Sequence, residues 1–424
     1  MLAPEDRQFL SDITRATVHA SRVAQGQAVA GSVPNSTGQT LIRPGGRDCY
    51  PAFWPRDFAM SLDSGFITRD EALHALRVIA KSQNGAQPRN LPSSAAIPPF
   101  AIPDHVLFDG SPVFYPGAMS AGDDQGGEPF GILPPADDHY EFIHIAHWLY
   151  KTTGDWTFTR QKIADLNLLE RMTRAFDVPT SDPSTGGMFF TSLQRRAVGM
   201  GFYDIVHLSG SVLFPSLLRH RAALQLAEFF SAMDRAAEND HYSRIAQSIE
   251  SHIVPIFADP HEKHAWLLAA TETGRQPDVW GTLYALHRNL LPADFAKRAR
   301  ITIADAVTRG SIVSHAAVRH VPLDHDFSKD SAWQKTAPGV PRGTYQNGAY
   351  WHTPTGWLIE ALKDSHPIIA NQLCSDYLAH LRNGDFQKGP AFGAPFECFS
   401  NDLAATRNPV YMTSVTVPWS ILNT

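Results

Sequence analysis

Helical periodicity is the feature that most restricts what this 424-residue chain can fold into. Apolar residues recur at helical spacing in about twelve segments, most clearly in two consecutive ones, 209–233 and 237–256, which a short polar stretch joins. The predicted helices are 4–24, 56–66, 70–82, 137–151, 156–177, 209–233, 237–256, 277–290, 293–310, 348–363, 366–381 and 411–422. If the last segment pairs with the first, the twelve make six helical hairpins. This predicts a closed double ring of helices formed by one domain over 1–424.

Clusters of aromatic and polar residues stand at the start of every second predicted helix. They are Trp54-Pro55-Arg56-Asp57, Asp137-Asp138-His139-Tyr140-Glu141, Gly201-Phe202-Tyr203-Asp204, Gln276-Pro277-Asp278-Val279-Trp280, Tyr345-Gln346-Asn347-Gly348-Ala349-Tyr350-Trp351 and Pro395-Phe396-Glu397. In a closed ring, parallel inner helices place these loops on one face, where they converge on a single pocket. Carboxylates, amides and indole rings are the groups that bind sugars, so the pattern predicts a carbohydrate site.

Composition excludes several classes of partner. Hydrophobic residues make up 43% and charged residues 18%, which is typical of a soluble globular protein. The net charge of -6 and the scattered basic residues argue against nucleic acid and anionic membranes, so we expect a small, neutral partner.

Three cysteines without metal-ligand spacing indicate neither disulfides nor zinc, and we expect no cofactor. The start of the chain predicts an amphipathic helix rather than a signal peptide, and hence a cytoplasmic location if Met1 is the natural start. Oligomeric state does not follow from the sequence.

Three stretches lack helical periodicity. The longest, 88–135, is rich in Pro and Gly and contains Pro103-Asp104-His105, so we interpret it as a lid over the pocket. A metal site would require its acidic turn and the start of the next helix to supply ligands, but the spacing is not that of a calcium loop. The acidic residues concerned are Asp123, Asp124, Asp137 and Asp138. In the other two stretches, short strands are predicted at 189–191 and 311–313.

Two carboxyl groups are candidates for catalysis. Hydrolysis with inversion at a sugar carbon needs one protonated carboxyl to protonate the leaving oxygen and one ionised carboxylate to activate water. Asp204 follows a glycine-rich, aromatic approach to a helix, where apolar surroundings would raise its pKa, although a helix-capping Asp would look the same. Glu397 stands alone in an apolar loop, where a buried carboxylate needs a partner or a shifted pKa; the alternative is that it points to solvent.

The other clusters supply candidates for substrate binding. In 54–57, Arg56 and Asp57 could hold adjacent sugar hydroxyls while the Trp54 ring stacks on the sugar; a capped helix start with a buried salt bridge is the structural alternative. The same combination of amides, carboxyl groups and aromatic rings occurs in the other clusters. It predicts further substrate-binding residues: Asp138, His139, Tyr203, Gln276, Asp278, Trp280, Tyr345, Gln346, Asn347, Tyr350 and Trp351.

On these motifs the chain resembles the six-hairpin glycosidase superfamily, which includes glucoamylases, trehalases and processing α-glucosidases. Segment 54–57 is similar to the W-x-R-D element that holds the nonreducing sugar, and 201–204 is similar to the G-x-x-D element that carries the general acid in the trehalase-like branch. Glu397 occupies the place of the general base, although its flanking residues depart from the trehalase pattern. The resemblance implies an all-α (α/α)6 toroid with long loops and a few short strands on the active-site face. It also implies an anomer-inverting glycoside hydrolase. The long loops could close one end of a groove, so we expect exo action that cleaves a terminal sugar from an oligosaccharide or glycoside.

Two other functions stay open at this point. A polysaccharide lyase or unsaturated-uronide hydrolase on a similar toroid could use Tyr203, His207, Arg195 and Arg196, and a phosphorylase is a variant of the hydrolase. A carbohydrate-binding protein without catalysis would use the same rings and amides.

Overall fold

The computed structural model describes residues 2–47, 49–259, 264–324 and 339–423. Twelve α-helices lie within these residues, one for each predicted segment. They are α1 Pro4–Ala20, α2 Pro55–Ser61, α3 Arg69–Ser82, α4 Asp137–Thr153, α5 Leu168–Phe176, α6 Leu213–Ala232, α7 Ala236–Phe257, α8 Val279–His287, α9 Ala293–Thr308, α10 Thr355–Leu362, α11 Pro367–Gly384 and α12 Thr413–Leu422.

The even-numbered helices form a closed inner ring. α2 contacts α4, and the contacts continue in order through α6, α8, α10 and α12, which returns to α2. The odd-numbered helices pack outside this ring, and α1 lies against α12, so the two ends of the chain close the double ring. The predicted (α/α)6 toroid is therefore confirmed.

The sequences of the two rings differ because their surroundings differ. α6 is buried on nearly all of its faces, including Arg219, His220 and Arg221, whereas the outer α7 buries a single stripe that includes Ile249 and Ile253. A helix that is apolar all round fits an inner position, and an amphipathic one fits an outer position. All six inner helices run in the same sense, so their N-termini meet at one end of the ring.

Three predicted helices begin later in the structure than in the sequence analysis. The segment 156–177 is interrupted by a hairpin whose turn includes Ala164, with φ of 52°, and α5 starts only after Asn167, whose side chain accepts from the Glu170 N–H. α6 starts at Leu213 because 210–211 pairs as a strand. α10 starts at Thr355, directly after Pro354, and before it Tyr350 and Trp351 form bridges with Phe399 and Val318.

Short strands connect the helices. They are β1 Arg22–Val23, β2 Leu41–Ile42, β3 Ala52–Phe53, β4 Arg89–Asn90, β5 Ala96–Ile97, β6 His105–Leu107, β7 Pro112–Val113, β8 Lys162–Ile163, β9 Leu166–Asn167, β10 Ser181–Asp182, β11 Met188–Thr191, β12 Gly210–Ser211, β13 Val313–Ser314, β14 Ala317–Val318, β15 Phe396–Phe399 and β16 Thr406–Pro409. The strand predicted at 189–191 is confirmed, and the one at 311–313 is displaced toward the C-terminus. All pairings are antiparallel. In the described part of the chain no helix has both the length and the apolar character needed to cross a membrane.

The stretch 88–135 is held close to the start of α2. Its strand β6 pairs with β3, with Phe53 opposite Val106, directly before Trp54. A small separate core formed by residues such as Ile97 and Tyr115 stabilises the stretch internally, and the Tyr115 hydroxyl donates to two backbone carbonyls. The stretch is thus an ordered excursion at the N-terminal end of the inner ring.

Candidate active site

A cleft of about 170 Å³ opens at the N-terminal end of the inner ring. It contains both carboxyl groups predicted to catalyse, Asp204 and Glu397, although they are far apart in the chain. Its lining consists of Tyr50, Trp54, Arg56, Asp57, Asp104, His105, Pro116, Gly117, Ala118, Met119, Gly201, Phe202, Asp204, Tyr345, Glu397 and Tyr411. Among the residues predicted to bind substrate, Trp54, Arg56, Asp57 and Tyr345 therefore line the cleft.

Arg56 lies at the floor of the cleft and is held by three carboxylates. Its Nε donates to Asp137 over 2.8 Å, and its Nη2 donates to Asp104 over 2.8 Å and to Asp138 over 2.7 Å. The expected pairing of Arg56 with Asp57 is not seen: the partners come from the lid and from α4. Asp138, predicted to bind substrate, holds the guanidinium instead. The Arg56 Nη1 has no hydrogen-bond partner among the described residues, so it is the donor that can reach a bound molecule.

Asp57 and Trp54 form the adjoining wall. The Tyr411 hydroxyl donates to Asp57 Oδ1 over 2.5 Å, and burial raises the pKa of Asp57 to about 6. The Trp54 ring stacks on His105 with centroids 4.5 Å apart, and Tyr50 meets it edge-on at 4.8 Å. These contacts fix the indole beside a carboxylate that can accept from sugar hydroxyls.

The segment that carries Asp204 is held in place by its neighbours. Gly201 donates its N–H to Asp137 over 2.8 Å, and a Cβ at this position would collide with the Arg56 guanidinium, so the close approach requires glycine. Gln346 donates to the Gly201 carbonyl over 2.9 Å and accepts from the Ile205 N–H over 3.0 Å. Gln346, predicted to bind substrate, is fully buried and positions this segment instead.

Asp204 itself is a buried carboxyl that favours its protonated form. Burial raises its pKa to about 8; repulsion from Asp104 adds to the shift and Arg56 opposes it. Its Oδ1 has no hydrogen-bond partner among the described residues. Asp204 follows a short 3₁₀ turn and lies well before α6, so it does not cap that helix. A carboxyl that keeps its proton near neutral pH can act as a general acid.

Glu397 faces the cleft from the β15–β16 hairpin. The Tyr50 hydroxyl donates to its Oε1 over 2.5 Å, and the Asn408 amide donates to its Oε2. Burial raises the pKa of Glu397 to about 7, while these two hydrogen bonds favour the ionised form. The alternative that Glu397 points to solvent is wrong, since only 2% of the residue is exposed.

A second layer of rings supports the cleft from behind. Phe202, which lines the cleft, packs on Trp280 and Trp351 with ring centroids 5.5 and 5.7 Å away. Trp351 also packs on Tyr345 at 5.6 Å, and His320 stacks on Trp280 at 4.2 Å. Trp280 and Trp351 were predicted to bind substrate, but both are fully buried and contact the cleft through these neighbours.

The remaining predicted binding residues also lie outside the cleft lining. His139 accepts from the Ile102 N–H over 3.1 Å, which ties the lid to α4, and burial lowers its pKa to about 4. Asp278 caps α8 through the Gly281 N–H at 2.7 Å. The others are buried and do not line the cleft: Tyr203, Gln276, Asn347 and Tyr350.

Four cleft residues with polar side chains escaped the sequence-based site prediction. Asp104 and His105 were noted as part of the lid, but nothing local indicated that they would reach Arg56 and Trp54. Tyr50 and Tyr411 stand alone in the sequence, outside the clusters. Only the structure marks Tyr50: its φ of 55° is in a region where non-glycine residues often belong to functional sites.

Metal ligands do not assemble at this site. Asp137 and Asp138 hold Arg56, and Asp123 pairs with Arg89 in an exposed ion pair. Among the described residues, no group of three or more His, Cys, Asp or Glu side chains has an arrangement that could hold a metal ion.

The sequence matches no protein-family model and no curated protein sequence. The fold does match solved structures. The GH63 mannosylglycerate hydrolase from Thermus thermophilus, in complex with glucose, aligns with a TM-score of 0.58 and 12% identity, over 97% of this chain and 99% of that chain. A rhamnosidase from Klebsiella oxytoca with rhamnose bound aligns with a TM-score of 0.56 and 11% identity, over 99% and 64% of the two chains. The GH78 rhamnosidase of Bacillus sp. GL1 aligns with a TM-score of 0.55 and 10% identity, over 100% of this chain and 35% of that chain. At these identities the likeness establishes a common fold.

Proposed function

We propose that this protein is an exo-acting, anomer-inverting glycoside hydrolase that releases a terminal sugar from an oligosaccharide or glycoside. The observation that carries this proposal is the presence of two buried, differently bonded carboxyl groups, Asp204 and Glu397, in one cleft. The fold shared with glycosidases supports the same class of reaction, although fold alone does not determine chemistry.

The two carboxyl groups divide the roles according to their surroundings. Asp204, with a pKa of about 8, holds a proton that it can donate to the glycosidic oxygen. Glu397, with a pKa of about 7 and two donors on its oxygens, is the carboxylate that removes a proton from the attacking water. The water oxygen bonds to the anomeric carbon as the bond to the leaving oxygen breaks, and the configuration inverts. Activity is then lost below pH about 7, where Glu397 is protonated, and above pH about 8, where Asp204 is ionised.

The shape of the cleft supports exo action. Its floor is closed by Arg56 and Phe202, and residues 116–119 of the lid form part of its wall. A cleft with a fixed floor accommodates the end of a chain rather than its middle. Asp57, the Arg56 Nη1 and the Trp54 ring are the groups that would hold the terminal sugar.

Sugar release by the wild type and by two isosteric variants tests the proposal. A panel of oligosaccharides and aryl glycosides is incubated with each protein, and proton NMR follows the first anomer released. We expect an inverted anomer from the wild type and no release from Asp204→Asn or Glu397→Gln, with circular dichroism confirming that both variants fold. Retention of configuration, or equal release by all three proteins, would contradict the assignment.

The lyase and phosphorylase alternatives receive less support from the geometry. The residues that a lyase would use, His207, Arg195 and Arg196, lie outside the cleft lining, and Arg196 is directed to Glu128 and the Pro129 carbonyl. Four carboxyl groups line the cleft, which disfavours both a uronate and a phosphate. Ultraviolet absorbance from a new double bond, or strict dependence on inorganic phosphate, would reverse this preference. A binding protein without catalysis predicts that both variants behave as the wild type does.

A further inference from the structure

A second cavity, of about 270 Å³, lies on the axis of the ring and extends toward the end opposite the cleft. Side chains from all six inner helices line it, from Asp63 after α2 to Ser420 in the last turn of α12. Its volume lies just below the usual range of small-molecule sites, which restricts it to a small ligand. The reaction proposed for the cleft uses none of this space.

The two cavities are separated by a wall one side chain thick. Arg56 and Phe202 line both of them. Because Arg56 is fixed by carboxylates on the lid and on α4, the wall is rigid, and the axial cavity is a separate compartment rather than an extension of the cleft.

The middle of the axial cavity carries a buried ion pair. Arg221 on α6 lies 2.7 Å from Glu141 on α4, and its Nη1 donates to the Tyr284 hydroxyl over 3.1 Å. Glu141 is 2% exposed and Arg221 is 7% exposed, so both charges are almost completely removed from bulk water. A guanidinium beside a carboxylate offers fixed donors and acceptors side by side, which suits adjacent hydroxyl groups.

Aromatic rings adjoin this ion pair in the cavity lining. Phe214 stacks on Tyr284 with centroids 5.2 Å apart, and Trp357 meets Tyr284 at 5.0 Å and 57°. All three rings line the cavity. Ring faces next to hydrogen-bonding groups are suited to ligands that have both C–H faces and hydroxyl groups.

The charges of the lining select against ions. Three guanidinium groups and three carboxyl groups face the cavity: Arg56, Arg221, Arg288, Asp63, Asp137 and Glu141. Because the two signs balance, the cavity as a whole attracts neither anions nor cations. From this balance, the buried ion pair and the rings, we propose that the axial cavity is a second binding site, and that it takes a neutral sugar or polyol. The proposal goes beyond the hydrolase function and does not depend on it.

Fluorine NMR of fluorotryptophan-labelled protein tests the proposal, because one Trp lies in each cavity. Trp357 reports on the axial cavity and Trp54 on the cleft, and Trp357→Phe and Trp54→Phe assign their resonances. Glucose, mannose, rhamnose and glycerol are titrated as neutral probes, with sulfate and Tris as charged ones. We expect at least one neutral probe to cause a saturable shift of the Trp357 resonance.

Variants at the outer end of the cavity separate the two sites. Ser420→Phe fills the space and should abolish the Trp357 shift while leaving any Trp54 shift intact; Ser420→Leu is the milder variant if Phe prevents folding. Ser231→Phe, an exposed change on α6, is the matched control and should leave the Trp357 shift unchanged. No Trp357 shift with any neutral probe, a shift with charged probes alone, or a shift that survives in a folded Ser420 variant would overturn the proposal. The Trp54 resonance and the sugar-release assay report separately on the cleft.

Discussion

Replacing Tyr50 with Phe tests the assignment of Glu397 as the base. The change removes the hydroxyl that donates to Glu397 Oε1 over 2.5 Å and keeps the ring that packs edge-on against Trp54. This hydrogen bond favours the ionised carboxylate, so its loss raises the pKa of Glu397 above its value of about 7. A base must be ionised to act, and we therefore expect the acidic limb of the pH profile to move to higher pH.

The size of this movement follows from the contacts. A hydrogen bond to a charged group contributes about 1.5–3 kcal/mol, and one pKa unit corresponds to about 1.4 kcal/mol, so complete loss of the bond would raise the pKa by about 1 to 2 units. Asn408 still donates to the other oxygen, which favours the lower figure. A rise of about one unit reduces the ionised fraction at pH 7 from about a half to about a tenth, which lowers kcat/KM about fivefold.

The measurement is the pH dependence of kcat/KM with the glycoside that the sugar-release panel identifies. Tyr411→Phe is the matched control, because it removes an equally short hydrogen bond, 2.5 Å, that ends on Asp57 rather than on Glu397. We expect Tyr411→Phe to leave the acidic limb in place. An acidic limb that does not move in a folded Tyr50→Phe protein would refute the role of Glu397 as the base.

Three further substitutions have outcomes that the structure specifies. Folding raises the pKa of Asp204 from 3.8 to about 8, so its destabilising contribution is absent below pH about 4 and grows as the pH rises to about 8. In urea unfolding, the free energy of unfolding of Asp204→Asn should therefore exceed that of the wild type by a few kcal/mol at pH about 8 and should not exceed it at pH about 4. An equal gain at both pH values would contradict this prediction. Arg56→Met leaves buried carboxylates without their counter-charge and should lower the free energy of unfolding by about 3–5 kcal/mol. Arg22→Met removes a partly exposed ion pair and should lower it by about 1 kcal/mol or less. Similar losses in the two variants would contradict the structural role of Arg56. Gly201→Ala displaces the Arg56 guanidinium and should lower kcat/KM about 100-fold. Gly85→Ala is the control, because a Cβ at that position would have no atom within 4 Å, and it should leave kcat/KM unchanged. Equal activities of the two variants would show that the close approach of Gly201 to Arg56 is unimportant.

The fold could be predicted from the sequence because its information is local. Each helix has its own apolar pattern, and ring closure follows once α1 is paired with α12. The errors lie where local signals compete. The segment 156–177 has helical spacing throughout, but a hairpin turn and the Asn167 cap divide it. The start of the predicted helix 348–363 is apolar enough for a helix, but Tyr350 and Trp351 pair with Phe399 and Val318 instead.

The site was predicted less completely because its contacts join distant parts of the chain. The sequence indicated the two carboxyl groups and the Trp54 segment, since each stands in an unusual local setting. It did not indicate that Arg56 would be held by Asp104 from the lid, or that Glu397 would accept from Tyr50, because these pairs are separated by 48 and 347 positions. Several aromatic rings in the clusters, such as Trp280 and Trp351, are buried and pack behind the cleft residues. Composition alone does not distinguish such packing rings from rings that contact a ligand.

The four carboxyl groups that line the cleft differ in their partners and therefore in their pKa values. Burial raises the pKa of every carboxyl in the cleft, and a buried charge needs a partner to remain ionised. Arg56 supplies that partner to Asp104. The pKa of Asp104 is lowered to about 2 in spite of its burial, so this carboxyl group stays ionised. Asp204 and Glu397 receive no guanidinium bond, and their pKa values rise into the range where protons can be exchanged near neutral pH. Arg56 thus keeps Asp104 ionised in a structural role, Tyr411 holds Asp57, and the proposed proton transfers are left to Asp204 and Glu397.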